Sequence, residues 1–221
     1  MAWRCTGSTN TELIENMWRH RLISDAKVKD AFLKVRPHSP YRRSNEVLTA
    51  DSQVDRAHYS PSAPYVDSPQ YIGYGATISA PHMHATALEH IIPYLLPSDV
   101  SPAPRAIDIG SGSGYLTHVM AELVGDRGLV VGIEHIHALR ELGEKNMKRS
   151  NDGSQFIESG KVKFVVGDGR KGYKEPARQG EEQLGTQWDV IHVGASAAKV
   201  HAELLDQLKA PGWYVFAAQQ D

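Results

Sequence analysis

The stretch "IDIGSGSGYL", Ile107 to Leu116, sets Gly110, Gly112 and Gly114 at alternate positions between an apolar run and a helix-forming segment. Glycine admits backbone angles that other residues resist, and it lets main chain come close to a ligand. A loop that follows a buried strand and opens a helix also receives the positive end of that helix. In open α/β sheets, ligands bind outside the carboxyl ends of the strands, where such a loop lies. A glycine turn can equally be structural, so the surrounding pattern has to decide.

That pattern alternates. Arg105–Ile109, Gly128–Ile133, Val162–Val166, Trp188–Val193 and Trp213–Ala218 read as short, β-branched, apolar strands. Tyr115–Val124, Ala138–Arg149 and Lys199–Leu208 read as helices. The order predicts a Rossmann-like, doubly wound α/β fold: a mostly parallel sheet with helices on both faces, three layers α/β/α. Residues 1–34 add a helical N-terminal extension. Thr9–His20 places Leu13, Ile14 and Met17 on one face behind a Thr9/Glu12 capping box. Asp25–Lys34 follows, with Val28, Ala31, Phe32 and Val35 inward.

Residues 35–53 hold two prolines, the pair Arg42 and Arg43, and little periodicity, so a disordered insert is expected. Residues 54–104 begin rich in Pro, Ser, Gly and Tyr. That composition suits an ordered irregular segment over a site. From Pro81 a helix carries the stripe Leu88, Ile91, Ile92 and Leu95. Residues 105–221 make the cofactor-binding core of a single domain.

The 221 residues suit one such domain, and 41% apolar content suffices for its core. A net charge of −2 argues against a general polyanion binder, so no nucleic-acid partner is expected. The single cysteine, Cys5, excludes an internal disulfide and a cysteine-built zinc site. His82 and His84 are two ligands without a third, so no metal is expected. The sequence has no apolar run of about 18 residues and no signal-peptide core at its start. A soluble cytoplasmic protein without a membrane partner is the expectation.

Acids then narrow the ligand. Glu134 ends the second core strand, twenty residues after Gly114, where a carboxylate accepts hydrogen bonds from ribose hydroxyls. Tyr115 stands where a dinucleotide fingerprint has its third glycine. Asp108 before the loop would repel a pyrophosphate but could hold an ammonium group. Asp168 ends the third strand and could accept from an adenine amino group, with Gly169 leaving room for the ring. Acids at three successive strand ends fit S-adenosylmethionine, cationic at ammonium and sulfonium, better than a dinucleotide.

These residues carry a specific resemblance. The stretches "YVDSPQYIGYGATISAPHMHA", "IDIGSGSGYLT", "GIEHI", "VVGDGRKGY", "WDVIHVGA" and "LLDQLKAPG" resemble the protein-L-isoaspartate (D-aspartate) O-methyltransferase family, among the class I S-adenosylmethionine-dependent methyltransferases. So do "MAW" and "ELIENMWRHRLI". The likeness covers roughly Ala2–Lys34 and Val54–Gly212. It implies methylation of the free carboxylate of L-isoaspartyl and D-aspartyl residues in damaged proteins. The ester then closes to a succinimide that reopens partly to normal aspartate.

By the same resemblance, Ser79 is the active-site hydroxyl that orients the substrate carboxylate. Thr77, Ile78 and His84 line the methyl-donor pocket. Asp108, Gly110, Ser111, Gly112 and Gly114 hold the methionine part. Glu134 and His135 take the ribose, and Asp168 with Gly169 the adenine. His192, Val193, Gly194 and Ala195 shape the substrate side. The family more often has aspartate where Glu134 stands. The implied partners are isoaspartyl-containing proteins and peptides, met by a monomer.

The chain departs from the family at residues 35–53 and at "WYVFAAQQD", which replaces a longer C-terminal part. Val35-Arg36 can be encoded by a splice-donor sequence, Leu48-Thr49 by a branch-point-like string and Gln53 by an acceptor triplet. Trp213–Val215 can likewise contain a donor. The expectation is that both segments are retained intron, and that a chain so shortened has low stability and weak activity. Two further readings stay open here: a methyltransferase for another small-molecule or nucleic-acid acceptor, and an inactive form that only binds the cofactor.

Overall fold

Three adjacent strands, Arg105–Ile109, Leu129–Glu134 and Trp188–Val193, are buried along their whole length and set the frame. The computed structural model describes residues 5–33, 54–175, 187–196 and 199–216. The expected insert at 35–53, Val35 among it, and the end of the expected last strand at Ala217 and Ala218 lie outside these residues. The elements in chain order are α1 (Asn10–Arg19), α2 (Ala26–Leu33), β1 (Gln70–Gly73), β2 (Ala76–Ile78), α3 (Pro81–Leu95), β3 (Arg105–Ile109), α4 (Tyr115–Leu123) and β4 (Leu129–Glu134). They continue with α5 (His137–Met147), α6 (Asn151–Glu158), β5 (Val162–Val166), β6 (Trp188–Val193), α7 (Ala202–Leu205) and β7 (Leu208–Phe216).

The main sheet has the order β5-β4-β3-β6-β7, every neighbouring pair parallel. The chain winds outward from β3 through β4 to β5, then returns to the other side of β3 for β6 and β7. The reversal lies between β3 and β6, so the glycine loop after β3 opens at the topological switch point. The doubly wound α/β expectation holds. Side chains alternate between the two faces of the sheet. Ala106, Val130, Val162, Phe164 and Val190 join a core with Leu13, Phe32, Leu88, Ile91, Val119 and Leu139 from helices α1 to α5. Ile107, Ile109, Val131, Ile133, Ile191 and Val193 form a second cluster with Leu204 of α7 and partly buried Tyr173 and Leu208. No helix among the described residues is long and apolar enough to cross a membrane.

Local chemistry sets the ends. Thr9 caps α1 by accepting the Glu12 N–H at 3.1 Å. Only half of the expected capping box forms, because the Glu12 carboxylate turns to the Ser8 N–H at 2.8 Å. In α3, Pro81 takes the first turn, where its missing N–H costs nothing.

Three readings of the sequence are corrected, and one further helix is found. Residues 70–78, expected as irregular, form an antiparallel hairpin with Tyr71 opposite Thr77. Its strands are too short to show an alternating pattern, and its tip, Tyr74 and Gly75, has φ of 54° and 74°, as a two-residue hairpin turn requires. Helix α6 was missed because "SNDGS" reads as a turn. Ser150 caps it by accepting the Gly153 N–H at 3.1 Å. The helix expected over 199–208 is the single turn α7, and β7 starts five residues before the expected Trp213. Backbone pairing explains both: the Trp188 N–H donates to the Gln207 carbonyl at 2.8 Å and draws Leu208 beside β6. The ladder then shifts register across Pro211-Gly212, as a residue without an N–H demands.

Gly114 precedes α4 at φ 83°, and a Cβ there would meet the Gly143 carbonyl oxygen of α5 at 2.9 Å. Gly114→Ala is expected to lower stability by about 1–3 kcal/mol. The check is the chemical-denaturation midpoint; an unchanged midpoint contradicts this reading of the loop.

Candidate active site

The carboxyl ends of β3, β4, β5 and β6 meet around two adjoining cavities that share Gly110. The larger, about 610 Å³, is lined by Ile133, His135, Asp168, Gly169, Val193 and Ala195 among others. That is ample for a nucleoside. The smaller, about 40 Å³, lies between the β2 end and the glycine loop. Thr77, Ile78, Ser79, His84, Asp108 and His192 contribute to its wall.

The glycine loop is fixed from three sides. Gly110 and Ser111 N–H groups donate to the Ile133 carbonyl at 2.8 and 3.1 Å. The Gly194 N–H donates to the Ile109 carbonyl at 2.9 Å. Gly110 has φ 77°, and a Cβ there would meet Ala195 at 2.8 Å, so only glycine lets the β3 and β6 loops approach this closely. The Ser111 Oγ is buried in the wall of the smaller cavity, with no hydrogen-bond partner among the described residues. A buried hydroxyl in that state suits a polar ligand group.

The three acids take distinct positions. Asp108 is buried inside β3, its Oδ1 at 2.8 Å from His192 Nδ1 and its Oδ2 accepting from Thr117 Oγ1 at 2.6 Å. The carboxylate is therefore immobile and retains further lone pairs. Glu134 Oε2 accepts the Gly112 N–H at 3.2 Å, while Oε1 accepts the His135 and Ile136 N–H groups at 2.8 and 3.3 Å. It clamps the glycine loop onto the end of β4. Asp168 is at the larger cavity and is held by Arg170, whose Nε and Nη2 both donate at 2.8 Å. Those hydrogen bonds pull its carboxyl down to about 2.

The structure thus brings Ser79, Thr77, Ile78, His84, Asp108, Gly110, Ser111 and Gly112 to the smaller cavity, and His135, Asp168 and Gly169 to the larger. Glu134 and Gly114 act on loop shape. The segment expected on the substrate side divides: His192 and Gly194 line the smaller cavity, and Val193 and Ala195 the larger. His82 and His84 diverge, His82 pairing with Asp67 at 2.8 Å and His84 turning to Arg56. Among the described residues no three His, Cys, Asp or Glu gather into a metal set.

Sequence reasoning missed Arg56, Tyr115 as a wall residue, and Arg170. Arg170 is legible two residues after Asp168. Arg56 lies in "DRAHY", just after the insert, with no motif to mark it.

Comparison with known proteins bears on these cavities. The family model for Protein-L-isoaspartate(D-aspartate) O-methyltransferase (PCMT) matches residues 37–221. A Protein-L-isoaspartate O-methyltransferase of Caenorhabditis elegans is 41% identical over 220 residues, covering 100% of this chain and 82% of the relative. Protein-L-isoaspartate O-methyltransferase 2 of Arabidopsis thaliana is 41% identical over 210 residues, 94% of this chain and 57% of the relative. Among solved structures, a putative protein-L-isoaspartate O-methyltransferase of Plasmodium falciparum in complex with S-adenosyl-L-homocysteine superposes with TM-score 0.75 at 32% identity, covering 97% of this chain and 86% of that one.

Asp168 supplies a direct test of the larger cavity's charge. An NMR titration of its side-chain carboxyl is expected to show a midpoint of about 2, because the folded state favours the ionised form. This stabilisation is present above the unfolded value and fades as pH falls through the folded one. Arg170→Ala should raise the midpoint part of the way toward about 3.9, the ordinary aspartate value, since the backbone N–H at 170 and the Lys171 charge remain. A wild-type midpoint already at that ordinary value contradicts the Arg170 clamp.

Proposed function

The chain belongs to the protein-L-isoaspartate(D-aspartate) O-methyltransferase family, and we propose that its paired cavities carry out that family's reaction. The chain is an S-adenosylmethionine-dependent methyltransferase that acts on the free carboxylate of isoaspartyl residues and so begins their repair. The observation that carries this reading is the adjacency of the two cavities. A nucleoside-sized space with an acid at its rim shares Gly110 as a wall with a space for little more than a carboxylate and a methyl group.

S-adenosylmethionine, when bound, supplies a methyl group on a cationic sulfur that departs as a neutral thioether. The residues fit that molecule. Asp108, fixed by Thr117 and His192, offers a buried anion to the ammonium end, and the Ser111 hydroxyl and the Gly110 backbone lie beside it. In this reading His135, at the larger cavity, meets the ribose beside Glu134, which holds the glycine loop, and Asp168 with Gly169 meets the adenine. A carboxylate acceptor is already ionised at neutral pH, so no general base is required. The work left to the protein is to orient the acceptor and to exclude water from it. Ser79, at the end of β2 and half-buried in the smaller cavity, donates a hydrogen bond from its hydroxyl to one oxygen of the acceptor carboxylate and so aims the other at the donor. Buried Ile78 and Tyr115 keep the wall dry.

The reading includes a monomer acting on isoaspartyl proteins and peptides in the cytoplasm.

Two measurements test it. Labelled methyl transfer to paired peptides, differing only in aspartyl or isoaspartyl linkage, should go to the isoaspartyl member alone; equal transfer to both overturns the reading. Ser79→Ala should lower kcat by about 10- to 1000-fold while donor Kd stays within about twofold. Equal losses in kcat and donor affinity contradict the role given to Ser79.

A further inference from the structure

Arg56 is wholly buried, yet every group its guanidinium touches is neutral. Nη2 donates to the Ser79 carbonyl at 2.6 Å, and Nη1 lies 3.3 Å from His84 Nδ1. Its central carbon sits 5.1 Å from the centre of the Tyr115 ring. Its Nε is buried, with no hydrogen-bond partner among the described residues. Among the described residues no carboxylate lies within ion-pair distance. Asp67, held by His82, acts on it only at longer range. Burying a cation without a contacting anion is costly, and cores usually avoid it. Here the three residues it contacts, Ser79, His84 and Tyr115, all line the smaller cavity.

We propose that Arg56 is the positioning residue that makes the smaller cavity selective for a carboxylate, by supplying uncompensated positive charge behind Ser79 and by fixing His84 as a neutral donor. The proposal rests on the isoaspartyl reading above and assigns its carboxylate recognition.

Three consequences follow from chemistry. A guanidinium only donates, so His84 Nδ1 must accept, and the ring proton sits on Nε2, the nitrogen left to the cavity. Burial and the Arg56 charge push His84 well below the ordinary histidine value, which keeps that tautomer neutral. The hydrogen bond to the Ser79 carbonyl fixes the backbone that carries the Ser79 hydroxyl. With Asp108 of the same cavity met by the donor's ammonium, as in the reading above, the Arg56 charge also favours an anion over a neutral isostere in a dry cavity.

The test uses two isoaspartyl peptides, one with the free α-carboxylate and one with the carboxamide, titrated calorimetrically into protein saturated with S-adenosylhomocysteine. Wild type should prefer the carboxylate. Arg56→Gln should weaken carboxylate binding at least about tenfold and leave carboxamide and S-adenosylhomocysteine affinities within about twofold. Arg56→Lys, which keeps the charge and loses the fork, should retain the preference and lower kcat. Equal weakening of both peptides, or no weakening, overturns the proposal. A wild type without carboxylate preference overturns the functional reading itself. If Arg56→Gln does not fold, ¹⁵N NMR of wild-type His84 decides. A proton held on Nε2 from pH 5 to 8 supports the assignment, and a proton on Nδ1 or titration near pH 6.5 overturns it.

Discussion

The buried carboxylate of Asp108 is the point on which the site depends. It sits in the central strand β3, bonded on one side to Thr117 of α4 and on the other to His192 of β6. Those two partners lie on opposite sides of the place where the chain reverses its winding. One ionised group therefore ties the helix opened by the glycine loop to the first strand of the returning half. A carboxylate this buried needs strong hydrogen bonds, and it has one through each oxygen. Because these bonds are made within the protein, the anion is already in place before any ligand arrives, which spares reorganisation on binding.

Around this anchor the fold assigns separate tasks to separate layers. The parallel sheet and its loops build the nucleoside-sized space, as doubly wound sheets do for many chemistries. What distinguishes this chain is the hairpin β1–β2, which lies outside the main sheet and delivers Ser79 at its end. Behind the hairpin stands Arg56, and beside it His84 on the first turn of α3. Donor recognition thus belongs to the sheet, acceptor recognition to the segment ahead of it, and Gly110 is a wall that the two spaces share. The larger cavity has Asp168 at its rim; the smaller has Asp108 on its sheet side and the Arg56 cation behind Ser79 on its hairpin side.

Much of this was legible in the sequence, and the reasons are physical. Strands β3 and β6 matched their expected limits because both faces are buried, and β5 did so because a β-branched apolar run is bounded by Gly160 and Gly167. The glycines and the acids at strand ends were legible because their roles depend on local backbone geometry and on order along the chain. The hairpin was not, since its pairing rests on a two-residue turn and short strands with no periodic signal. The position of β7 depended on pairing with Gln207 and Leu208, a tertiary effect that overrides the proline-glycine break. Arg56 was illegible because its meaning comes from contacts with residues 23 and 28 positions away. Glu134 shows the limit of a correctly placed residue: its position was expected, but its clamp on Gly112 was visible only in three dimensions.

The account's central claim is that a preformed acidic cradle at the strand ends takes a cationic methyl donor. Calorimetric titration of the chain with S-adenosylmethionine, alongside Asp108→Asn, tests that claim most directly. Saturable one-to-one binding by wild type, weakened about tenfold or more by the variant, is the predicted result. A wild-type protein that binds no donor, or a variant that binds it equally well, contradicts the account.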